Sequence, residues 1–331
     1  MDAFLPRDST TVARVALLLA ALVGTAFLLS RLPARPWNRL PAWIAVFAGV
    51  ILADRLTLAE PAGFRMLALI AAPLLALKGV VSVESRLAGR TPLGLFAWWA
   101  FALGWFGMRP ALFAAVPGPA RPGAVAHLRK GTAFVSLGAS LALAVRAWIT
   151  YGDSAGAAAP RLAGIASMML AFSLIVHFGL CDMQAGLWRS LGADCRSLFR
   201  APLRSTGLKE FWGGRWNVAF SEMTALAVFR PLRSVLGERM AATTAFLFSG
   251  LLHETAISLP VRAGFGLPLL YFALHALAMR LEARFFVRAF ARRPWLGRLW
   301  TLAWLALPLP LLFHPPFVNG VIAPLLPKSG S

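Results

Sequence analysis

Charge is what this sequence has least of. Of 331 residues only 14% are Asp, Glu, Lys or Arg, and 13 residues in all are acidic. Soluble domains carry about a quarter charged residues, so this chain could not cover a water-facing surface, and a soluble globular protein is excluded. Cysteine is nearly absent too. Cys181 and Cys195 are the only two, too few for a disulfide framework and without metal-site spacing. Enzyme signatures are missing as well: there is no Gly-x-Ser-x-Gly nucleophile elbow and no Walker A run. His253-Glu254 fails the His-Glu-x-x-His zinc pattern because Ile stands at 257, so no metal ligands are expected. Lysine is scarce beside arginine, and the 33 bases leave a net charge of +20. In a soluble chain that excess would suggest nucleic acid; here hydropathy makes membrane orientation the first explanation, and no nucleic-acid partner is expected.

Apolar residues are abundant, at 59%. A bilayer core of about 30 Å needs roughly 20 apolar residues per helix, and runs of that length recur at 12–30, 41–59, 64–81, 132–150, 162–181, 240–260, 264–283 and 295–313. The expected fold is all-α: a polytopic bundle of about eight transmembrane helices, read as a single membrane-embedded domain over 1–331. The first run could be a signal peptide, but its full spanning length and the spans that follow suit an uncleaved anchor. A ninth stretch, 93–107, is short, aromatic and flanked by Pro92 and Pro110, which suits a re-entrant or interfacial segment at least as well as a span. Loop charge supports that reading. If 93–107 does not cross, segments 31–40, 78–130, 182–239 and 280–298 share one side and hold 25 Lys+Arg against 7 acids. That is the cytoplasmic side by the positive-inside rule, and a crossing at 93–107 would split the Arg-rich loops between two compartments.

One loop is long. Residues 182–239 carry Trp188, Trp212 and Trp216 with nine bases and five acids. The spacing of Leu187, Leu191 and Leu198, then Leu226, Phe229 and Leu232, predicts amphipathic helices lying on the cytoplasmic face. Within it, GLKEFWGGRWN at 207–217 sets Lys209, Glu210, Trp212, Arg215 and Trp216 together, followed by Arg230 in FRPL. Aromatics with arginine at an interface are ordinary belt composition; they would equally hold an anionic amphiphile. His253 stands deep in the apolar span 240–260, beside Glu254 and one turn after Ser249. An imidazole there must face a polar cavity or a partner. It either hydrogen-bonds between helices or acts as a base toward a hydroxyl. His127, His275 and His314 read as structural or interfacial, although His275 shares a helix face with Tyr271 and could line the same cavity. His177 and Asp182 fit His-x4-Asp, but positions five apart on a helix are about 140° out of phase, so the two side chains should not meet.

The ordered set EFWGGRWN, FRPL, SGLLHE and PLLFHPPF, confined mostly to 190–318, resembles the wax-synthase-like branch of the membrane-bound O-acyltransferases. In that branch the loop reads as an acidic residue, Phe-Trp-Gly-Arg-Arg-Trp and then Asn or His. Asn217 matches the loop Asn/His and His253 the membrane histidine, while Gly214 departs from the usual basic residue. The resemblance implies acyl transfer from acyl-CoA, as a substrate and with no cofactor, to the hydroxyl of a lipophilic alcohol. His253 would be the general base and Asn217 would orient substrate, with Lys209, Glu210, Trp212, Arg215, Trp216, Arg230, Ser249, Glu254 and His275 in the substrate site. Compactness and Arg/Ala/Leu-rich composition point to a bacterial cytoplasmic membrane. The competing readings are a lipid transporter or flippase, which would show in-span charge pairs and internal symmetry, and a membrane protein that binds acyl lipid without turnover.

Overall fold

In hydrocarbon each backbone N–H and C=O must find its partner within the segment or in neighbouring protein. Helices are the solution taken here: the computed structural model describes residues 3–151 and 158–327, and among them every regular element is helical. Helix α1 spans Ser9–Arg31, α2 Arg39–Leu56 and α3 Ala62–Leu87. Asp8 starts α1 by accepting from the Thr10 N–H at 2.9 Å. These three helices pack through Leu22, Val23, Ala26, Ala42, Val46, Leu69, Ala72 and Ala76. Helix α4 spans Leu95–Gly104 and α5 Ala124–Tyr151. Helix α6, Ala158–Ser173, runs through a wider π turn at Leu174–Leu180 into α7, Cys181–Ser190. Small residues let α5 lie close against that composite helix: a Cβ on Gly138 would stand 2.7 Å from the Ala171 carbonyl oxygen.

The loop that follows contains α8, Leu208–Glu210, a π turn at Phe211–Arg215, α9, Val218–Thr224, and a second π turn at Ala225–Phe229. Helix α10 spans Arg230–Val261, α11 Leu267–Leu281, α12 Val287–Arg292 and α13 Pro294–Ala306, followed by the short α14, Leu309–Leu312, and α15, Pro315–Phe317. Gly237 interrupts α10 with φ 73° and ψ 166°, a conformation that glycine adopts without a Cβ penalty. It marks where the loop passes into the helix carrying His253.

Among the described residues, five helices are long and apolar enough to cross a bilayer: Ser9–Arg31, Ala62–Leu87, Ala124–Tyr151, Pro160–Ser190 and Pro294–Leu312. The other three expected spans fall on α2, which carries Arg39, Asp54 and Arg55, on α10, which carries His253 and Glu254, and on the 15-residue α11. The protein is thus a multi-pass helical membrane protein. Helix α4 has ten residues, about 15 Å at 1.5 Å per residue and half of a bilayer core. Lys78 of α3 holds its end: the buried ammonium donates to the carbonyls of Phe101 at 3.0 Å, Trp105 at 2.6 Å and Gly107 at 2.8 Å. Ser85 and Arg90, before α4, line one cavity with Arg109, after it. The chain therefore enters and leaves α4 on the side that this cavity occupies.

The long loop departs from expectation. Rather than lying on the face as amphipathic helices, it folds inward, and Leu198, Phe199, Leu208, Phe211, Val218 and Met223 are all buried. The physical reason is aromatic packing. Phe211 stacks on Trp216 at 5.5 Å, and Phe199 meets the same indole edge-on at 5.0 Å, contacts that a surface helix could not supply.

Candidate functional site

The inward fold of the loop closes a cavity of about 260 Å³ against α10 and α11. Its wall includes Lys209, Trp212, Gly213, Trp216 and Asn217 from the loop, Phe220, Ser221 and Thr224 from α9, Ser249 and His253 from α10, and Phe272 from α11. Thus two motifs 36 residues apart in the chain meet at one space.

His253 is oriented by its own helix. Nδ1 lies 2.7 Å from the Ser249 carbonyl oxygen. A carbonyl only accepts, so Nδ1 carries a proton, and in the neutral ring Nε2 is then the basic nitrogen. Phe272 at 4.5 Å and Phe220 at 5.4 Å flank the ring. The result is an imidazole in a largely apolar cavity whose Nε2 forms no hydrogen bond among the described residues, the arrangement a general base needs.

Asn217 is placed by backbone. It takes φ 42° and ψ 63°, the left-handed region that asparagine tolerates better than most residues. The Val218 N–H donates to the Leu198 carbonyl at 2.9 Å and holds the turn. Among the described residues the Asn217 carboxamide forms no hydrogen bond, so both its donors and its acceptor are available to a bound molecule.

The other expected site residues divide. Lys209, Trp212, Trp216 and Ser249 line the cavity. Arg230 lines a second, adjoining cavity instead. Glu210 and Arg215 pair with each other at 2.6 Å. Arg215 also donates to the Arg200 carbonyl at 3.1 Å, and Glu210 accepts from the Thr206 N–H at 2.8 Å, so this pair closes the loop and lines neither this cavity nor the adjoining one. Partial burial raises the Glu210 carboxyl, but the Thr206 N–H, the Arg215 guanidinium and the Thr206 hydroxyl together hold it below the usual range. Glu254 faces away: its carboxylate accepts from the N–H groups of Gly266 at 2.8 Å and Leu269 at 3.3 Å, capping the start of α11. Successive residues on a helix point about 100° apart, so adjacency to His253 in sequence did not bring Glu254 into the cavity. His275 is fully buried behind Trp212, at 5.5 Å between rings, with Nδ1 2.8 Å from the Tyr271 carbonyl oxygen. It supports the wall and does not line it.

The remaining histidines behave structurally. His314 accepts from the Phe317 N–H at 3.3 Å and lies 3.2 Å from the Ser258 hydroxyl. His177 pairs with Ser173 at 3.1 Å, while Asp182 engages Lys130 at 2.6 Å, His127 at 3.3 Å and the Ser197 hydroxyl; the His-x4-Asp residues do not meet. Neither cysteine lines the cavity, and burial pushes the Cys195 thiol up to about 12. Sequence reasoning missed Phe220, Ser221, Phe246 and Phe272 in the wall; nothing in their local pattern distinguishes them from core.

Residues 195–274 match the sequence model described as the membrane bound O-acyl transferase family, a stretch that includes Asn217, His253 and every other residue named above in the cavity wall. The chain is 30% identical over 143 residues to a probable long-chain-alcohol O-fatty-acyltransferase of Arabidopsis thaliana, covering 39% of this chain and 42% of that protein. It is 37% identical over 73 residues to the long-chain-alcohol O-fatty-acyltransferase of Simmondsia chinensis, covering 20% of this chain and 21% of that one. A further Arabidopsis thaliana relative is 29% identical over 145 residues, with 40% and 42% covered. The chain therefore spans less than half the length of these curated relatives. All of this similarity falls on the wax-synthase-like branch of the membrane-bound O-acyltransferases, the one that the loop and span motifs resemble. The relatives named are plant proteins, so they lend nothing to the bacterial placement.

Proposed function

We propose that this chain is a membrane-bound acyltransferase that moves an acyl group from acyl-CoA to the hydroxyl of a lipophilic alcohol. The observation that carries this reading is the His253 imidazole, with Nδ1 tied to the Ser249 carbonyl and no partner for Nε2 among the described residues, in a largely apolar cavity whose wall bears Lys209 and Asn217. In the reaction, Nε2 takes the alcohol proton as the alcohol oxygen attacks the thioester carbonyl. The tetrahedral intermediate then breaks its C–S bond, and the departing CoA thiolate takes the proton back from the imidazolium, leaving ester, free CoA thiol and neutral His253. Asn217 would donate its carboxamide N–H to the developing oxyanion. A direct transfer suits the cysteines, since both are buried and Cys195 holds its proton. The residues call on no cofactor, and the partners are the acyl donor, the alcohol and membrane lipid. We place the protein in a bacterial cytoplasmic membrane on its compact, Arg/Ala/Leu-rich composition, with the basic loops inside.

The test is turnover by purified protein supplied with labelled acyl-CoAs and a panel of fatty alcohols, sterols and glycolipids. His253→Ala should lose about 10²- to 10⁴-fold, the range of a general base. Equal ester formation by a folded His253→Ala protein and the parent would overturn the mechanism.

A further inference from the structure

A second cavity, of about 310 Å³, adjoins the first, and Gly213, Ser221 and Ala225 line both. The rest of its wall comes from segments far apart in the chain. Ser85 and Arg90 lie at and just beyond the end of α3, Arg109 and Pro110 follow α4, and Arg230 begins α10. Three arginines thus converge, against one acid. That acid, Glu222, sits 3.4 Å from Arg109. Burial raises its carboxyl, with Arg109 and Arg200 opposing the rise, and even when ionised it answers only one of the three guanidinium groups. The guanidinium groups of Arg90 and Arg230 form no ion pair or hydrogen bond among the described residues. Like charges gathered in one recess repel unless an anion answers them, and guanidinium is the side chain best matched to phosphate oxygens.

The shared wall gives that charge a direction. A Cβ built on Gly213 would meet no heavy atom within 4 Å, so its backbone borders open space where the two cavities adjoin. A molecule with a phosphate-bearing head in the arginine cavity could extend past Gly213 and present its other end to His253. Arg215, the natural candidate from sequence, is occupied by Glu210 and takes no part.

We infer that the second cavity is the phosphate site for the acyl donor, with Arg90, Arg109 and Arg230 as its cations and Gly213 as the passage for the thioester arm. This rests on the acyl-transfer reading and adds to it a binding set. Two of the three arginines lie outside the 195–274 region that matches the family, so the N-terminal half of the chain contributes directly to donor recognition.

The experiment compares two donors sharing one thioester: palmitoyl-CoA, and S-palmitoyl-pantetheine, which lacks the phosphates. Full-length parent, Arg90→Gln and Arg109→Gln are assayed in phosphatidylcholine nanodiscs. Losing one charge-assisted contact should raise KM for palmitoyl-CoA about tenfold, with kcat within about twofold and KM for the pantetheine donor unmoved. Equal KM shifts for both donors, or none for either, would overturn the proposal. Arg90 has no side-chain partner to lose, so Arg90→Gln separates the site from any folding defect of Arg109→Gln. Calorimetric binding of free CoA is read in parallel. If the parent turns over no alcohol, the acyl-transfer reading falls, while CoA affinity weakened by both variants still supports the phosphate site and unchanged affinity removes it. Discs containing phosphatidylglycerol distinguish the phosphate's source: CoA binding unaffected by the anionic lipid supports the donor, whereas displacement of CoA by that lipid, relieved in the variants, would assign the cavity to a headgroup and overturn the assignment.

Discussion

Asn217 and His253 became visible by different routes. An imidazole deep in an apolar span is costly unless it is used or paired, so composition alone singles out His253. Asn217 has no such signature and was legible only through the resemblance of its loop; its backbone shows why an asparagine suits the position. At φ 42° a residue with a Cβ is strained by about 1–2 kcal/mol, less for Asn, and glycine is not. Asn217→Gly therefore separates conformation from chemistry. Its melting temperature in detergent should equal or exceed the parent's, while turnover falls about 10²- to 10³-fold if the carboxamide stabilises the oxyanion. A glycine variant with parental turnover would reduce Asn217 to a turn residue.

At the scale of elements, two acidic residues expected in the substrate site are structural devices. Glu254 caps α11, which carries Phe272 into the cavity wall. Glu254→Ala should cost about 1 kcal/mol, as removal of a helix cap does, seen as a lower melting temperature with turnover close to parental. A large loss of kcat without loss of stability would return Glu254 to the chemistry. Glu210 and Arg215 close the loop on itself, and because the Glu210 carboxyl lies below its ordinary value its contribution has a defined pH window. It is complete above the unfolded carboxylate value of about 4.3 and fades as pH falls through the lower folded value. Glu210→Gln should melt below the parent at neutral pH, with the gap closing as pH falls through the lowered folded value; a gap that persists in acid would deny the ion pair its role. None of this pairing was legible beforehand. The π turns at Phe211–Arg215 and Ala225–Phe229 break the helical period that sequence reading relies on.

Across the whole molecule, contacts sort by the side that the loop charges assign. Arg39 pairs with Glu84 at 2.6 Å, Arg109 with Glu222 at 3.4 Å, and Arg31 donates to the Leu93 carbonyl at 2.6 Å, all between basic loops. Arg65 pairs with Asp54 at 2.6 Å, and the Arg7 N–H donates to Glu60 at 2.6 Å, both between the less basic segments. With Cys181 and Cys195 buried, a single Ala120→Cys should react with an impermeant thiol probe from the cytoplasmic side of oriented vesicles. Labelling from the outside would refute the re-entrant assignment of 93–107.

The helical membrane class, and the sidedness that the loop charges predict, follow from quantities that add along the chain. Hydropathy summed over 20 residues specifies a helix in lipid whatever its neighbours, and loop arginines orient it, so both are readable one segment at a time. The cavity is not additive. It exists because Lys209–Thr224, Ser249, His253 and Phe272 approach from separate elements, and because Arg90 and Arg109 come round through a half-length helix pinned by Lys78. Which of two neighbours on a helix faces substrate, and which arginine is already spoken for by a carboxylate, depend on who packs opposite. That is a property of tertiary contacts spanning dozens to hundreds of residues, and only the folded structure could supply it.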